Sequence, residues 1–191
     1  MKLYRFGRLV CRIFFKTFFR VEVSGREHIP DKGAVILCSN HISTLDPPLV
    51  GTPLNRMVHF MAKAELFKIP VFGPMISNLG AFPVKRGGVS KESIRHALQM
   101  LGEGGVLGIF PEGSRGGGMG KKGAASLALR SGATVVPVAI IGTYKLFGKM
   151  KIVYGQPLDL SPMRESSSSE SLEQATEHIM ASIKQLREAN S

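Results

Sequence analysis

Six short apolar runs, at residues 34–39, 57–61, 80–84, 106–110, 134–141 and 152–154, recur between segments of helical spacing, and that alternation decides the fold class. Strands alternating with helices bury a sheet between helical layers, an α/β arrangement. The run 134–141 is almost wholly apolar, as expected for a strand covered on both faces. Helical candidates lie at 48–54, at a Pro- and Gly-punctuated stretch 71–79, at 91–101 and at 120–131. A Ser-rich linker at 166–169 leads into a last helix with Leu172, Ala175, Ile179, Ile183 and Leu186 on one face. The 191 residues suit one core rather than two, and no internal repeat divides them.

Residues 3–19 are of another kind. At about 100° per residue, Arg5, Arg8, Arg12 and Lys16 share one arc. Leu3, Phe6, Val10, Ile13, Phe14 and Phe18 occupy the opposite half, with Leu9 and Phe19 as exceptions. The segment reads as an amphipathic helix, aromatic and apolar on one side and basic without acids on the other. At about 25 Å it is too short, and too charged, to span a bilayer. It suits the membrane interface, with the basic arc toward acidic headgroups; the alternative is that the apolar face packs on the domain. Basic residues recur through the segment and no clean apolar run follows, which excludes an ordinary secretory signal. The expected organisation is a membrane-surface helix over 1–20, the main α/β domain over 21–160, and a Ser-rich linker with a C-terminal helix packed on that domain over 161–191.

The net charge is +11 and unevenly spread. Residues 1–31 hold seven bases and three acids, residues 32–158 fifteen and five, and residues 159–191 three and six. The body carries the charge, so the partner should be anionic: nucleic acid, a phosphorylated substrate or acidic lipid. A nucleic-acid module interleaves aromatics with exposed cations. Here the clearest aromatic–basic pattern is the N-terminal helix, which disfavours that class. Cys11 and Cys38 fall in an apolar helix and an apolar strand, suit a reducing compartment, and form no zinc-spaced cluster.

Asn40-His41-Ile42-Ser43-Thr44-Leu45-Asp46-Pro47 follows the first buried run directly. In open α/β sheets, ligands bind beyond the carboxyl ends of strands. A His there with an Asp five residues on can form a base and its orienter. Asp46 before Pro47 is equally a good helix N-cap, and His41 alone an ordinary loop histidine. Phe110-Pro111-Glu112-Gly113-Ser114-Arg115 closes another run, followed by three glycines and Lys121-Lys122. Such a stretch suits an anion, or is simply a flexible turn. A P-loop fails on spacing: Arg115 stands where its first glycine belongs and Lys122 where Ser or Thr belongs. Phe82-Pro83-Val84-Lys85-Arg86 and Lys63-Ala64-Glu65-Leu66 add cations at two more strand ends. One loop cation is ordinarily solvated surface charge. Four strand ends supplying a His/Asp pair and several cations are harder to dismiss.

In this order, NHISTLD, KAEL, FPVKR, FPEGSR and VPVAI resemble the glycerolipid acyltransferases, specifically the small bacterial 1-acyl-glycerol-3-phosphate acyltransferases, over about residues 25–155. H-x4-D alone is a weak signal; with FPEGSR and FPVKR it is specific. Ser114 stands where Thr is usual, and glycines 116–118 replace a commonly more polar stretch. The resemblance implies a mixed central sheet flanked by helices, with an N-terminal amphipathic membrane anchor. It implies transfer of a fatty acyl group from a thioester to the 2-hydroxyl of lysophosphatidic acid, giving phosphatidic acid in phospholipid biosynthesis.

That resemblance makes His41 the base and Asp46 its orienter. It assigns Arg86, Arg115 and Lys63 to the acceptor's phosphate, with Lys122 as a further candidate. Glu112 would hold a glycerol hydroxyl or steady a cation, and backbone N–H groups near His41 or in the Glu112–Gly113 turn would meet the oxyanion. No metal or cofactor is implied; the co-substrate is acyl carrier protein or CoA thioester. The implied partners are lysophosphatidic acid, that thioester and an anionic membrane surface, at the cytoplasmic face of the cell membrane. Rival acceptors are glycerol 3-phosphate, a lysophospholipid or an acylated amino-acid lipid. The rival from another class is a non-catalytic basic module binding membrane or nucleic acid.

Overall fold

Apolar runs bounded by turn residues pair edge to edge, and seven strands join one sheet in the computed structural model, which describes residues 2–84, 91–111, 121–164 and 168–191. In chain order the elements are α1 (Lys2–Phe18), β1 (Arg20–Ser24), β2 (Val35–Ser39), α2 (Asp46–Gly51), β3 (Val58–Lys63), α3 (Phe72–Asn78) and β4 (Ala81–Val84). There follow α4 (Lys91–Gly102), β5 (Val106–Ile109), α5 (Lys121–Ser131), β6 (Thr134–Gly142), β7 (Lys149–Tyr154), α6 (Ser161–Arg164) and α7 (Ser169–Glu188). All six expected runs form strands.

The strand order is β1-β7-β6-β2-β5-β3-β4. From β6 to β4 every pairing is parallel; β7 runs antiparallel to β6, and β1 parallel to β7. The sheet is therefore mixed, and the carboxyl ends of β6, β2, β5, β3 and β4 line one edge. Because β7 and β1 start at that edge, the end of α1 and the β6–β7 loop arrive there too.

Each face of the sheet has its own apolar layer. Ile36, Cys38, Leu107, Ile109 and Val135 pack under α4, α5 and α7, which contribute Leu101, Leu127, Ala175, Ile179 and Ile183. On the other face Val35, Leu37, Val136, Val138 and Ile140 meet Leu49 and Val50 of α2, together with Phe15 and Phe19. Burial of Cys38 pushes its thiol up to about 12, so it behaves as a core hydrophobe.

Three local expectations need correction. Residues 20–24 form a strand that was not expected: Val21 and Val23 alternate with Arg20 and Glu22, a pattern too short to stand out and sufficient only at a sheet edge. The helix expected at 48–54 starts at Asp46 and ends at Gly51. Ser168 and Ser169 are not linker: the Ser168 hydroxyl accepts the Ser171 N–H at 3.1 Å and caps α7, whose first residue is Ser169. The rest of the expected linker at 166–167 lies outside the described residues.

The orientation of α1 also differs from expectation. Arg8 donates to the Leu54 carbonyl, and Arg12 to the carbonyls of Thr52 and Pro53 at 2.7 and 3.2 Å. These carbonyls follow the end of α2, where cations are favoured. Half of the basic arc is therefore turned to the domain rather than outward. Phe15 and Phe19 lie beside it, both buried. Leu3, Phe6, Leu9, Val10, Ile13, Phe14 and Phe18 remain exposed.

Candidate active site

The site begins where β2 stops. Asn40, fully buried, extends the strand pairing with its side chain, accepting the Ile140 N–H at 2.7 Å and donating to the Ile140 carbonyl at 2.9 Å. This side chain pins the end of β2 to β6 and sets the backbone from which His41 departs. His41 Nδ1 lies 2.7 Å from Asp46 Oδ2. The same oxygen accepts the Ile42 N–H at 2.6 Å and the Ser43 N–H at 2.7 Å. Tyr144 donates its hydroxyl to the other oxygen, Oδ1, at 2.6 Å.

Asp46 is thus not the N-cap that its sequence position also allowed. Its carboxylate folds back over residues 41–43, while Leu45 holds the cap position without a side-chain bond. Burial pushes the Asp46 carboxyl up, but the bonds from His41, Tyr144, Ser43 and Ile42 outweigh it and hold it below the ordinary carboxylate range. An ionised carboxylate only accepts, so Nδ1 of His41 is the donor to Asp46, and in the neutral imidazole Nε2 is the nitrogen with the lone pair. With 23% of its side chain accessible, against 0% for Asp46, His41 is the partner that a substrate can reach.

A stack of rings fixes the imidazole plane. His41 lies on Phe110, ring centroids 4.3 Å apart, and Phe110 lies near Phe60 at 5.9 Å. Phe60 in turn covers Gly108 of β5; a Cβ at Gly108 would run into the Phe60 ring. Tyr144 is fixed by the Phe19 ring, edge-on at 5.6 Å. Burial and the Asp46 charge push the Tyr144 phenol well above its ordinary range, so it stays a donor.

Of the sequence-derived site residues, the structure joins His41 and Asp46. Lys63 closes β3 and is exposed. In register, Leu37 and Phe60 both stand opposite Gly108, so Lys63 is level with Asn40, two strands or roughly 10 Å away. Lys122 is engaged elsewhere, its Nζ 2.6 Å from Glu173 of α7. Arg86, Glu112, Gly113 and Arg115 lie outside the described residues; the strands that precede them, β4 and β5, end on the His41 edge. Sequence reasoning missed Tyr144 and Gly108 as parts of the site, and named Phe110 only as the first residue of FPEGSR, not as the ring beneath His41. The available signal for Tyr144 was its place two residues beyond the most apolar strand.

The acyltransferase family profile matches residues 20–141 of this chain. The chain is 34% identical to the 1-acyl-sn-glycerol-3-phosphate acyltransferase of Bacillus subtilis, with 96% of each chain covered. It is 31% identical to the protein of the same name from Borreliella burgdorferi, over 74% of this chain and 58% of that one. The crystal structure of the 1-acyl-sn-glycerophosphate (LPA) acyltransferase from Thermotoga maritima superposes with a TM-score of 0.70 at 29% identity, covering 97% of this chain and 78% of that one.

Proposed function

The chain belongs to the acyltransferase family, and on that premise we propose how its residues carry the family's chemistry. The enzyme transfers a fatty acyl group to 1-acyl-glycerol 3-phosphate, giving phosphatidic acid for phospholipid biosynthesis. In that acceptor position 1 is esterified and position 3 phosphorylated, so the 2-hydroxyl is the nucleophile. Nε2 of His41 takes its proton as the oxygen attacks the thioester carbonyl. Asp46 holds the tautomer and stabilises the imidazolium. When the tetrahedral intermediate collapses, the C–S bond breaks and the imidazolium returns the proton to the thiolate. The thioester is already activated, so neither a protein nucleophile nor a metal or cofactor has a step to perform.

Lys63, with Arg86 and Arg115, binds the acceptor's phosphate in this reading; an Arg fork suits bidentate contact. Glu112, an acceptor, is assigned to hold a glycerol hydroxyl or steady a neighbouring cation, and N–H groups near His41 or in the Glu112–Gly113 turn to meet the oxyanion. The ion pair with Glu173 leaves Lys122 as the weakest of these assignments. The donor is an acyl carrier protein or CoA thioester. No helix among the described residues is long and apolar enough to cross a membrane, and the exposed apolar side of α1 supports peripheral attachment, at the cytoplasmic face where thioesters are made.

One observation carries the reading: the H-x4-D pair is assembled, at 2.7 Å, in a chain that matches a named lysophosphatidic acid acyltransferase over 96% of both lengths. The test incubates purified protein with lysophosphatidic acid and each thioester and detects phosphatidic acid by mass. Parallel reactions offer glycerol 3-phosphate, a lysophospholipid and an acylated amino-acid lipid. Turnover of one of those with none of lysophosphatidic acid would overturn the choice of acceptor.

A further inference from the structure

Among the described residues, two non-glycine positions have a left-handed backbone: Val71 at φ 67° and Phe147 at φ 58°. Val71, with ψ −49°, is the centre of a turn closed by the Phe72 N–H and the Pro70 carbonyl at 2.7 Å. That is the rare and strained hand of the γ-turn, and a β-branched residue is the worst suited to it. Phe147 is the third residue of a turn closed by the Gly148 N–H and the Lys145 carbonyl at 2.7 Å. With positive φ, that position ordinarily takes Gly or Asn. Strain of this kind persists where the surroundings or a function hold it. Burial does not hold either side chain: Val71 is 83% exposed and Phe147 60%, with Leu146 beside it at 65%.

Phe147 adjoins both α1 and the His41 edge, and Val71 lies on that edge at the start of the helix whose far end reaches α1. The Phe147 N–H donates to the Phe18 carbonyl at 2.8 Å, tying the β6–β7 loop to the end of α1. α3 returns the chain from the carboxyl end of β3 to the start of β4, which puts Val71, just before α3, on the His41 edge. Just past its other end, Leu79 lies against Gly7, which sits on the border of α1's exposed apolar side. Leu79, Met75 and Phe72 are spaced four and three apart, on one stripe. Met75 and Phe72 are exposed, so that stripe continues the apolar side of α1. Exposed cations flank each place: Lys68 before Val71, and Lys145 and Lys149 around Phe147.

We propose that Val71–Phe72 and Leu146–Phe147 enter the acyl-chain boundary of an anionic bilayer beside α1, so that the domain rests on the membrane at three points around the His41 edge. Apolar side chains stay outside the core at a backbone cost because lipid, not water, covers them, and the flanking lysines meet acidic headgroups. The inference rests on the reading of α1 as the lipid-facing helix.

The test uses the full chain and vesicles of equal parts phosphatidylglycerol and phosphatidylcholine, with flotation at moderate salt. The first variant is Val71→Gly with Phe147→Gly, which relieves both strained turns while removing the apolar side chains. The second, Phe6→Ser with Ile13→Ser, alters only the outer side of α1. The glycine variant is expected to melt at or above the parent temperature and to lose on the order of tenfold in vesicle partition. A merely structural role would lower the melting temperature and leave partition unchanged, which overturns the proposal. If only the α1 variant detaches, α1 docks alone and the proposal fails while the reading of α1 stands. If neither variant detaches, both fall. Dissociation of a dimer by the glycine variant, at unchanged partition, would assign the surface to a second copy of the chain and overturn the proposal.

Discussion

Tyr144 donates its hydroxyl to Oδ1 of Asp46 at 2.6 Å, joining residues 98 positions apart and leaving Oδ2 to His41 and two backbone N–H groups. Both oxygens of a fully buried carboxylate are thereby satisfied, so the group stays ionised and cannot rotate away from the imidazole. Tyr144→Phe keeps the ring against Phe19 and removes only the donor. Turnover is expected to fall about tenfold, with little change in KM for either substrate. Steady-state kinetics check this; an unchanged kcat would make the tyrosine a spectator.

His41→Ala is expected to lower turnover by about 10²–10⁴ while the fold survives. The side chain lies at a loop, so its removal opens no core cavity, although Phe110 loses its stacking partner. The comparison is kcat against melting temperature. A correctly folded variant with substantial kcat would sink the base role.

Gly108→Ala tests the platform beneath the imidazole. The new methyl meets the Phe60 ring, which must move, and Phe110 and His41 move with it. Overpacking of this kind costs about 1–3 kcal/mol, and turnover should drop beyond what the folded fraction explains. Chemical denaturation and kcat per folded molecule separate the two effects.

Stability should also depend on pH through Asp46. Its folded carboxyl lies below the ordinary value of 3.8, so the unfolded chain binds the proton more readily. The contribution is complete above that ordinary value and is lost as pH falls through it toward the folded one. The stability gap between the parent and Asp46→Asn is therefore expected to be constant near neutrality and to narrow in acid. Urea midpoints between about pH 6 and about pH 3 measure it. A gap that stays constant across the range would mean that the shift is absent.

Deleting α1 is a poorer test of membrane attachment than its sequence pattern suggests. The deletion would strip Arg8 and Arg12 from the carbonyls after α2, and Phe15 from the apolar layer it shares with Leu49 and Val50. Loss of activity would then report unfolding. Changing only the exposed residues, such as Phe6 and Ile13, leaves the docking side intact.

Whatever is periodic or local could be read from the order of residues alone. The apolar runs marked six of the seven strands, and H-x4-D put the pair within reach, because only four residues separate its ends. Contacts between distant segments were decided only by the tertiary structure. Arg8 and Arg12 share a helical arc with Arg5, yet they face the domain because unpaired carbonyls after α2 lie against that side of α1. Tyr144 reaches Asp46 because β6 pairs directly with β2 and both end at one edge. Gly108 matters because β3 lies beside β5 and lays Phe60 across it. No spacing along the chain encodes which strands become neighbours; that is settled when two apolar layers close on one sheet.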